Sequence, residues 1–252
     1  MQIISVTADN LEDEHICCAI SDKKGDCRVP SKKAWMKAAF REGLVFLKYD
    51  VRGKAFLEYL PAEHAWCPVD APGYLFIDCF WVSGQLKGQG LSNGLLEACL
   101  KDAKAQGKHG IVALTSKKKL PFLCDPKHLA YKGFEPVDEA RSSFVLACLF
   151  LDREGPVPQF LPCAREGRPE EDGFVLYYTN QCPHTEAYAP LAAARAKERG
   201  IPFALHKLET KEDARRAPTP FPTYSLFYNG AFVTNEILSE KKLHAIFTKY
   251  GF

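Results

Sequence analysis

Four stretches of this 252-residue chain hold residue types that do chemistry. The first is the glycine-rich run Ser83-Gly84-Gln85-Leu86-Lys87-Gly88-Gln89-Gly90, set between an apolar segment and a segment of helical periodicity. Such a loop presents backbone N–H groups at the positive end of the following helix, where they hold phosphate without a charged side chain. It reads in two frames, Gln85-x-x-Gly88-x-Gly90 and Lys87-Gly88-Gln89-Gly90-Leu91-Ser92. The full GxGxxG dinucleotide pattern and the GKS or GKT of a P-loop are absent, and a purely structural turn has the same composition. The second stretch is Asp78 inside the apolar run 74–82, with Glu58 on an alternating segment before it. Carboxylates are groups that can take up a proton, and burying Asp78 without a hydrogen bond or a function is costly. The third is Tyr131, a phenol able to serve as an acid. The fourth is Cys182-Pro183-His184-Thr185, where a thiol precedes helix amides that can lower its pKa from about 8.5 to between roughly 3.5 and 7.5.

The elements that must position these groups follow from periodicity. Residues 3–7 read as a strand and 11–20 as a helix; Ser31 reads as the cap of a second helix with Trp35, Ala38, Ala39 and Glu42 on one face. The alternating segments 44–50 and 54–60, joined by Val51-Arg52-Gly53, form a hairpin. The run 74–82 is expected to be a central strand buried on both faces. After the glycine loop, Leu91, Leu95, Leu96, Cys99, Leu100 and Ala103 make one helical stripe that Gly107 closes. A strand over 111–116, a short helix over 126–132 and two strands over 134–139 and 143–150 complete this part. Residues 152–171, with Pro156, Pro158 and Pro162, read as an irregular linker. A strand over 174–179, an alanine-rich helix and a final helix over 239–250 follow it.

Composition excludes several classes. With 46% hydrophobic and 25% charged residues the chain is an ordinary globular sequence. A net charge of +2 gives no electrostatic reason to expect nucleic acid, and the Lys117-Lys118-Lys119 run is too short to change that. No segment has the roughly 20 apolar residues that span a bilayer, and the N-terminus turns acidic by Asp9, so a cytoplasmic location is expected with no membrane partner. The ten cysteines lack CxxC or zinc spacing, so no metal is expected.

The stretch 80–107, with Lys87-Gly88-Gln89-Gly90-Leu91-Ser92 followed by Leu95-Leu96, resembles the acetyl-CoA motif of the GCN5-related N-acetyltransferases (GNAT). The second frame is the one adopted, because the Leu-Leu pair falls at the family's spacing in it. Residues 55–82 look like a bacterial subgroup, and the resemblance covers about residues 1–150. It implies an α/β (α+β) fold with a mixed, splayed central sheet, acetyl-CoA as cosubstrate, and direct attack by a neutral amine. By the same resemblance backbone groups near Trp81, Val82 and Ser83 align the thioester, pyrophosphate rests on the amides of Gly88, Gln89, Gly90, Leu91 and Ser92, and the flanking Lys87 and Asn93 also belong to the cofactor site. The family's acid, a Tyr four residues before the Gly of a Gly-Phe pair, is Leu129 here. Tyr131, two residues before Gly133, is the substitute, with His128 a weaker one.

The last 80 or so residues resemble the thioredoxin superfamily. Pro190 lies eight residues after Cys182, and Pro222 to Gly230 parallels a cis-proline strand with its Asn-Gly hairpin. Thr185 replaces the second cysteine, so Cys182 would act as a monothiol, with Cys163 as a distant partner. The resemblance implies a cis Phe221–Pro222 bond beside Cys182, which is also expected to be the most reactive thiol. The combination looks like bacterial proteins in which an acetyltransferase domain precedes a YoaP-type domain: residues 1–151, a linker 152–171, and residues 172–252. The expected function is acetyl transfer to a small-molecule or peptide amine. The competing expectation is a thiol-disulfide or thiol-binding protein using Cys182, whose first domain only senses CoA.

Overall fold

The structure, a computed structural model, describes residues 1–16, 19 and 25–252. Its first part runs β1 (Ile3–Val6), α1 (Arg28–Phe40), β2 (Val45–Tyr49), β3 (Ala55–Pro61), β4 (Val69–Asp70), β5 (Tyr74–Val82), α2 (Leu91–Ala105), β6 (Gly110–Ser116), α3 (Pro126–Tyr131), β7 (Glu135–Glu139) and β8 (Phe144–Phe150). Seven of these strands form one sheet in the order β1-β2-β3-β5-β6-β8-β7. All neighbours are antiparallel except β5 and β6.

The two faces of the sheet follow the period-2 alternation of its strands. Leu57, Tyr59, Leu75, Ile77, Ile111 and Ala113 point to one face and pack against the α2 stripe Leu91, Leu95, Leu96, Cys99 and Ala103. Phe46, Phe56, Leu60, Phe76, Val112 and Leu114 point to the other and meet Trp35, Met36 and Ala39 of α1. Burying six such side chains on each face removes enough apolar surface to fix which way the sheet faces.

The ladder from β5 to β6 covers only Tyr74↔Gly110 to Ile77↔Ala113, whereas β3 stays paired with β5 as far as Ala55↔Val82. Past Ile77 the two parallel strands therefore part. The expectation of a strand buried on both faces holds for 74–77; residues 78–82 are partly exposed because they border the opening. The register between β3 and β5 also shifts here, from Glu58↔Cys79 to Tyr59↔Ile77, leaving Asp78 as the extra residue of a β-bulge.

The second part runs β9 (Gln159–Phe160), α4 (Pro162–Glu166), β10 (Phe174–Tyr178), α5 (Thr185–Glu198), β11 (Phe203–Lys207), α6 (Lys211–Arg216), β12 (Tyr224–Tyr228), β13 (Ala231–Thr234) and α7 (Glu240–Lys249). A four-stranded sheet has the order β11-β10-β12-β13, with β10 parallel to β11 and antiparallel to β12. Phe174, Leu176, Tyr224 and Leu226 pack on Ala189, Ala192 and Ala196 of α5 and Leu243 and Phe247 of α7. Asn229 (φ 47°) and Gly230 (φ 75°) make the tight turn between β12 and β13, a conformation these two residue types tolerate.

Several expectations are corrected. Ser31 does not cap α1: the helix begins at Arg28 with Cys27 at the cap, and the Ser31 hydroxyl donates back to the Arg28 carbonyl at 3.0 Å. Ala38 is exposed, because the buried stripe runs through Lys32, Trp35, Met36 and Ala39. No helix forms over residues 11–16, which make turns; the rest of the expected 11–20 helix lies largely outside the described residues. Residues 152–171 are not irregular throughout. β9 pairs with β4, the Phe160 amide donates to Asp138 at 2.7 Å, Arg165 pairs with the same carboxylate, and Phe160 and Ala164 are buried. The prolines there shorten elements without preventing them.

The Phe221–Pro222 bond is trans, as is every described peptide bond, against the cis expectation. The surrounding loop holds itself without a cis turn: the Thr219 hydroxyl bonds Ser225 at 2.8 Å and accepts the Phe221 amide at 3.2 Å. The more populated isomer of an X–Pro bond then suffices.

Side chains bridge the two parts of the chain. Lys211 donates to Glu42 at 2.7 Å and contacts His64 at 3.0 Å, Asn235 donates to the Pro121 carbonyl at 2.6 Å, and the rings of Phe144 and Phe232 meet edge to face at 5.4 Å.

Candidate active site

The glycine loop and the opened edge of β5 border one cleft of about 550 Å³. Gly88 and Gly90 have φ of 77° and 75°, and a Cβ at either would meet nothing within 4 Å. Glycine is therefore needed for backbone conformation and not for space. Gly90 is the left-handed N-cap of α2, and its carbonyl accepts the Asn93 amide at 2.9 Å. The first-turn amides of a 15-residue helix thus start at the cleft, where the macrodipole favours an anion.

Of the residues that the resemblance implies for the cofactor, Trp81, Val82, Lys87, Gly88, Gly90, Leu91, Ser92 and Asn93 line this cleft. Two of the expected residues do not. The Ser83 amide donates to the Lys54 carbonyl at 2.9 Å, which extends the β3–β5 ladder by one bond, and the Gln89 amide side chain donates to the Gln85 carbonyl at 2.7 Å, which staples the loop. The facing wall was not anticipated as cofactor-binding: Lys119, Cys124, Asp125, His128 and Lys132 line it. Lys132 hydrogen-bonds the Asn93 side chain across the cleft, and Asp125 caps α3 while pairing with Lys119 at 2.9 Å. Burial, then the charge of Lys132, holds the His128 imidazole below its ordinary pKa, so it sits in the cleft neutral. Tyr131 stands at the mouth, 82% exposed.

Under the opened edge lies a carboxyl pair. Glu58 on β3 and Lys32 on α1 are fully buried, with Lys32 Nζ donating to Glu58 Oε1 at 2.6 Å and standing 4.0 Å from the Trp35 ring centroid. The bulge places the Asp78 carboxyl in hydrogen-bond contact with Glu58. Two carboxyl groups can share such a bond only if one carries a proton. Desolvation first, and the charge of Glu58 second, push Asp78 well above the usual carboxylate range; Lys32 and a hydrogen bond from Gln181 oppose this. With one shared proton the pair carries a single negative charge, which Lys32 balances.

Gln181 comes from the other sheet. It is 6% exposed, its Oε1 accepts from Thr179 at 2.8 Å and Thr223 at 3.2 Å, and its Nε2 donates to Asp78. The two hydroxyls fix which end of the amide faces the carboxyl. A second, smaller cavity of about 40 Å³ surrounds this contact. Its walls include Trp66, Phe76, Asp78 and Phe122 from the first part of the chain and Gln181 and Pro220 to Thr223 from the second. Phe80, Trp81, Leu123 and Cys124 line both spaces, so the cavity adjoins the cleft beside the bulge. Nothing in the local sequence around Gln181 announces this; only its place in the loop just after β10 brings it there.

Cys182, the next residue, lines neither space. It is partly buried against the C-terminal core, and its carbonyl accepts from the Thr185 hydroxyl at 2.7 Å. Burial, then the charges of Arg28 and Lys54, keeps His184 below its ordinary pKa, so it is neutral and gives no cationic support to a thiolate. Cys163 packs in α4 with its thiol donating to the Arg215 carbonyl at 3.2 Å, and burial raises its pKa. Cys27, at the N-cap of α1, is the exposed thiol among the described cysteines, whereas Cys182 is partly buried.

No helix of the described residues is long and apolar enough to cross a membrane. A family profile described as YoaP-like matches residues 202–244. Among solved structures, YncA from Salmonella typhimurium with acetyl-CoA is 15% identical at a TM-score of 0.42, covering 62% of this chain and 96% of that one. The ribosomal-protein-alanine N-acetyltransferase from Brucella melitensis is 14% identical at 0.41, covering 60% and 100%. The uncharacterized N-acetyltransferase YoaP of Bacillus subtilis (strain 168) is 40% identical over 246 residues, 98% of this chain and 98% of its own. With a relative that similar along almost its whole length, the chain belongs to the YoaP family of N-acetyltransferases.

Proposed function

We propose that the chain transfers an acetyl group from acetyl-CoA to a primary amine by direct attack. The observation that carries this reading is the adjacency of two spaces: the start of α2 and Phe80 to Val82 of β5, where β5 has parted from β6, line the cleft, and Asp78, in contact with Glu58, lines the smaller cavity that shares Phe80 and Trp81 with it. The residues present suit CoA. Lys87, Lys119 and Lys132 border the cleft and match phosphate charge, while the β5 edge offers backbone groups to an extended amide chain. Acetyl-CoA bound to the YncA and other solved relatives agrees with the assignment.

In this mechanism the amine loses a proton to the carboxyl pair and attacks the thioester carbonyl. The C–S bond breaks, and the thiolate takes up a proton; Tyr131, the phenol on the cleft wall, is the donor we assign. Lys32 is a positioning residue that keeps the pair at one negative charge.

The second part, residues 172–252, is assigned a thioredoxin-like fold, supported by the β11-β10-β12-β13 order with its one parallel pair and by Pro190 inside α5. The trans Phe221–Pro222 bond departs from that pattern. A thiol function for Cys182 has no support in the site, since the thiol borders neither cavity. Residues 152–171 act as a packed strap between domains 1–151 and 172–252. Calorimetry with acetyl-CoA tests the cofactor assignment: one molecule per chain is expected, and absence of binding overturns it.

A further inference from the structure

We propose that the C-terminal domain builds one wall of the acyl-acceptor pocket and that Gln181 positions the acceptor, which is a small monoamine with a compact apolar group. This rests on the acetyltransferase reading above and adds the acceptor's chemical class and the residue that selects it.

The cavity that adjoins the cleft is made jointly by the two domains. Pro220, Phe221, Pro222 and Thr223 face Trp66, Phe76 and Phe122 across it, and Cys67 Sγ ties the Pro220 carbonyl to the first domain at 3.2 Å. Among its described lining residues Asp78 is the single acidic group, and no Lys or Arg is present. One amine nitrogen therefore finds one carboxyl group to bond to, and because Lys32 already balances the pair's charge it docks as the neutral base that attack requires. A second nitrogen, charged as in a polyamine, would be desolvated against aromatic rings without a counter-charge, and the α-carboxylate of an amino acid would find no cation. At about 40 Å³ the cavity admits only the leading part of an alkyl or aryl group, whose remainder extends toward the cleft past the shared Phe80 and Trp81.

Gln181 holds the place of the amine. Its Nε2 is an N–H donor to Asp78, the same role an acceptor nitrogen must fill before it gives up a proton. Thr179 and Thr223 hold its Oε1, so the amide can accompany an incoming nitrogen at the Asp78 carboxyl without turning its oxygen toward it. A group with that geometry orients the acceptor on the Phe80–Trp81 side, where cavity and cleft meet.

The test measures thiol release from acetyl-CoA by the full chain with 2-phenylethylamine, spermidine and a short peptide with a free N-terminus, and acetyl-CoA affinity by calorimetry. The wild type is expected to use 2-phenylethylamine at least tenfold better in kcat/KM than either other probe. Gln181→Ala and the similarly sized Gln181→Met are expected to raise the KM for 2-phenylethylamine about tenfold, with kcat within a few-fold and acetyl-CoA affinity unchanged, the scale of one hydrogen bond to a charged partner. Phe221→Ala is expected to shift preference toward a bulkier naphthylethylamine. Preference for spermidine or the peptide, or no turnover of 2-phenylethylamine by protein that binds acetyl-CoA, overturns the inference alone. So does a Gln181 variant whose amine KM is unmoved, or whose acetyl-CoA affinity falls as far as its amine affinity. Wild-type protein that fails to bind acetyl-CoA overturns the underlying acetyltransferase reading instead.

Discussion

Lys32 and Glu58 form a fully buried ion pair at 2.6 Å, with Lys32 on α1 and Glu58 on the strand beside the bulge. A cation with no exposure under the site is stabilising only because the carboxyl pair needs it. Lys32→Met leaves the pair without its counter-charge and is expected to cost about 3–5 kcal/mol. Urea unfolding measures this. A loss under about 1 kcal/mol would mean that solvent already screens the pair.

Asp78→Asn is expected to keep the fold and lower kcat at least about a hundredfold, the range of a lost general base. Its effect on stability has a defined sign. Because the folded protein holds the Asp78 carboxyl above its ordinary range, its contribution is fully present below the unfolded value, near 3.9, and is lost as pH rises through the folded one. Denaturation from pH 4 to pH 9 should therefore show the variant gaining on the wild type as pH increases.

Gly90→Glu is expected to abolish acetyl-CoA binding in calorimetry. The new carboxylate would stand at the α2 N-cap with a phosphate's charge, and the left-handed backbone at φ 75° adds roughly 1–2 kcal/mol of strain. Unchanged affinity would remove the phosphate assignment.

Tyr131→Phe tests the acid. With the side chain 82% exposed, stability should change by less than about 0.5 kcal/mol. A fall in kcat of tenfold or more with unchanged acetyl-CoA affinity supports proton donation by the phenol, and an unchanged kcat assigns that proton to solvent.

Brief alkylation near neutral pH, followed by peptide mapping, should label exposed Cys27 before partly buried Cys182. Cys182→Ser should leave acetyl transfer within about twofold of wild type. A tenfold loss would return the thiol to the chemistry.

Much of the first domain was legible because its information is local. The apolar run at 74–82, the glycine loop and the α2 stripe each carry a period or a conformational demand that few neighbouring contacts can override. The hairpin of β2 and β3 followed from alternation for the same reason. The start of α1 was misplaced because Ser31 has the right chemistry for a cap, while the chain turns three residues earlier at Cys27. The strap at 152–171 was read as irregular because proline and glycine density does not reveal that Phe160 and Ala164 have a core to enter.

By itself the sequence determined the loop, the helix behind it and the presence of two carboxyl groups on adjacent strands. Only the tertiary structure decided that a bulge brings Asp78 to Glu58, that Lys32 balances them, and that Gln181 reaches Asp78 from 103 residues away. It also decided that Phe221–Pro222 is trans and that Cys182 turns from the site its neighbour enters. The reason is physical: backbone periodicity is set by each residue and its near neighbours, whereas a buried charge or amide is tolerated only where distant elements supply its partner.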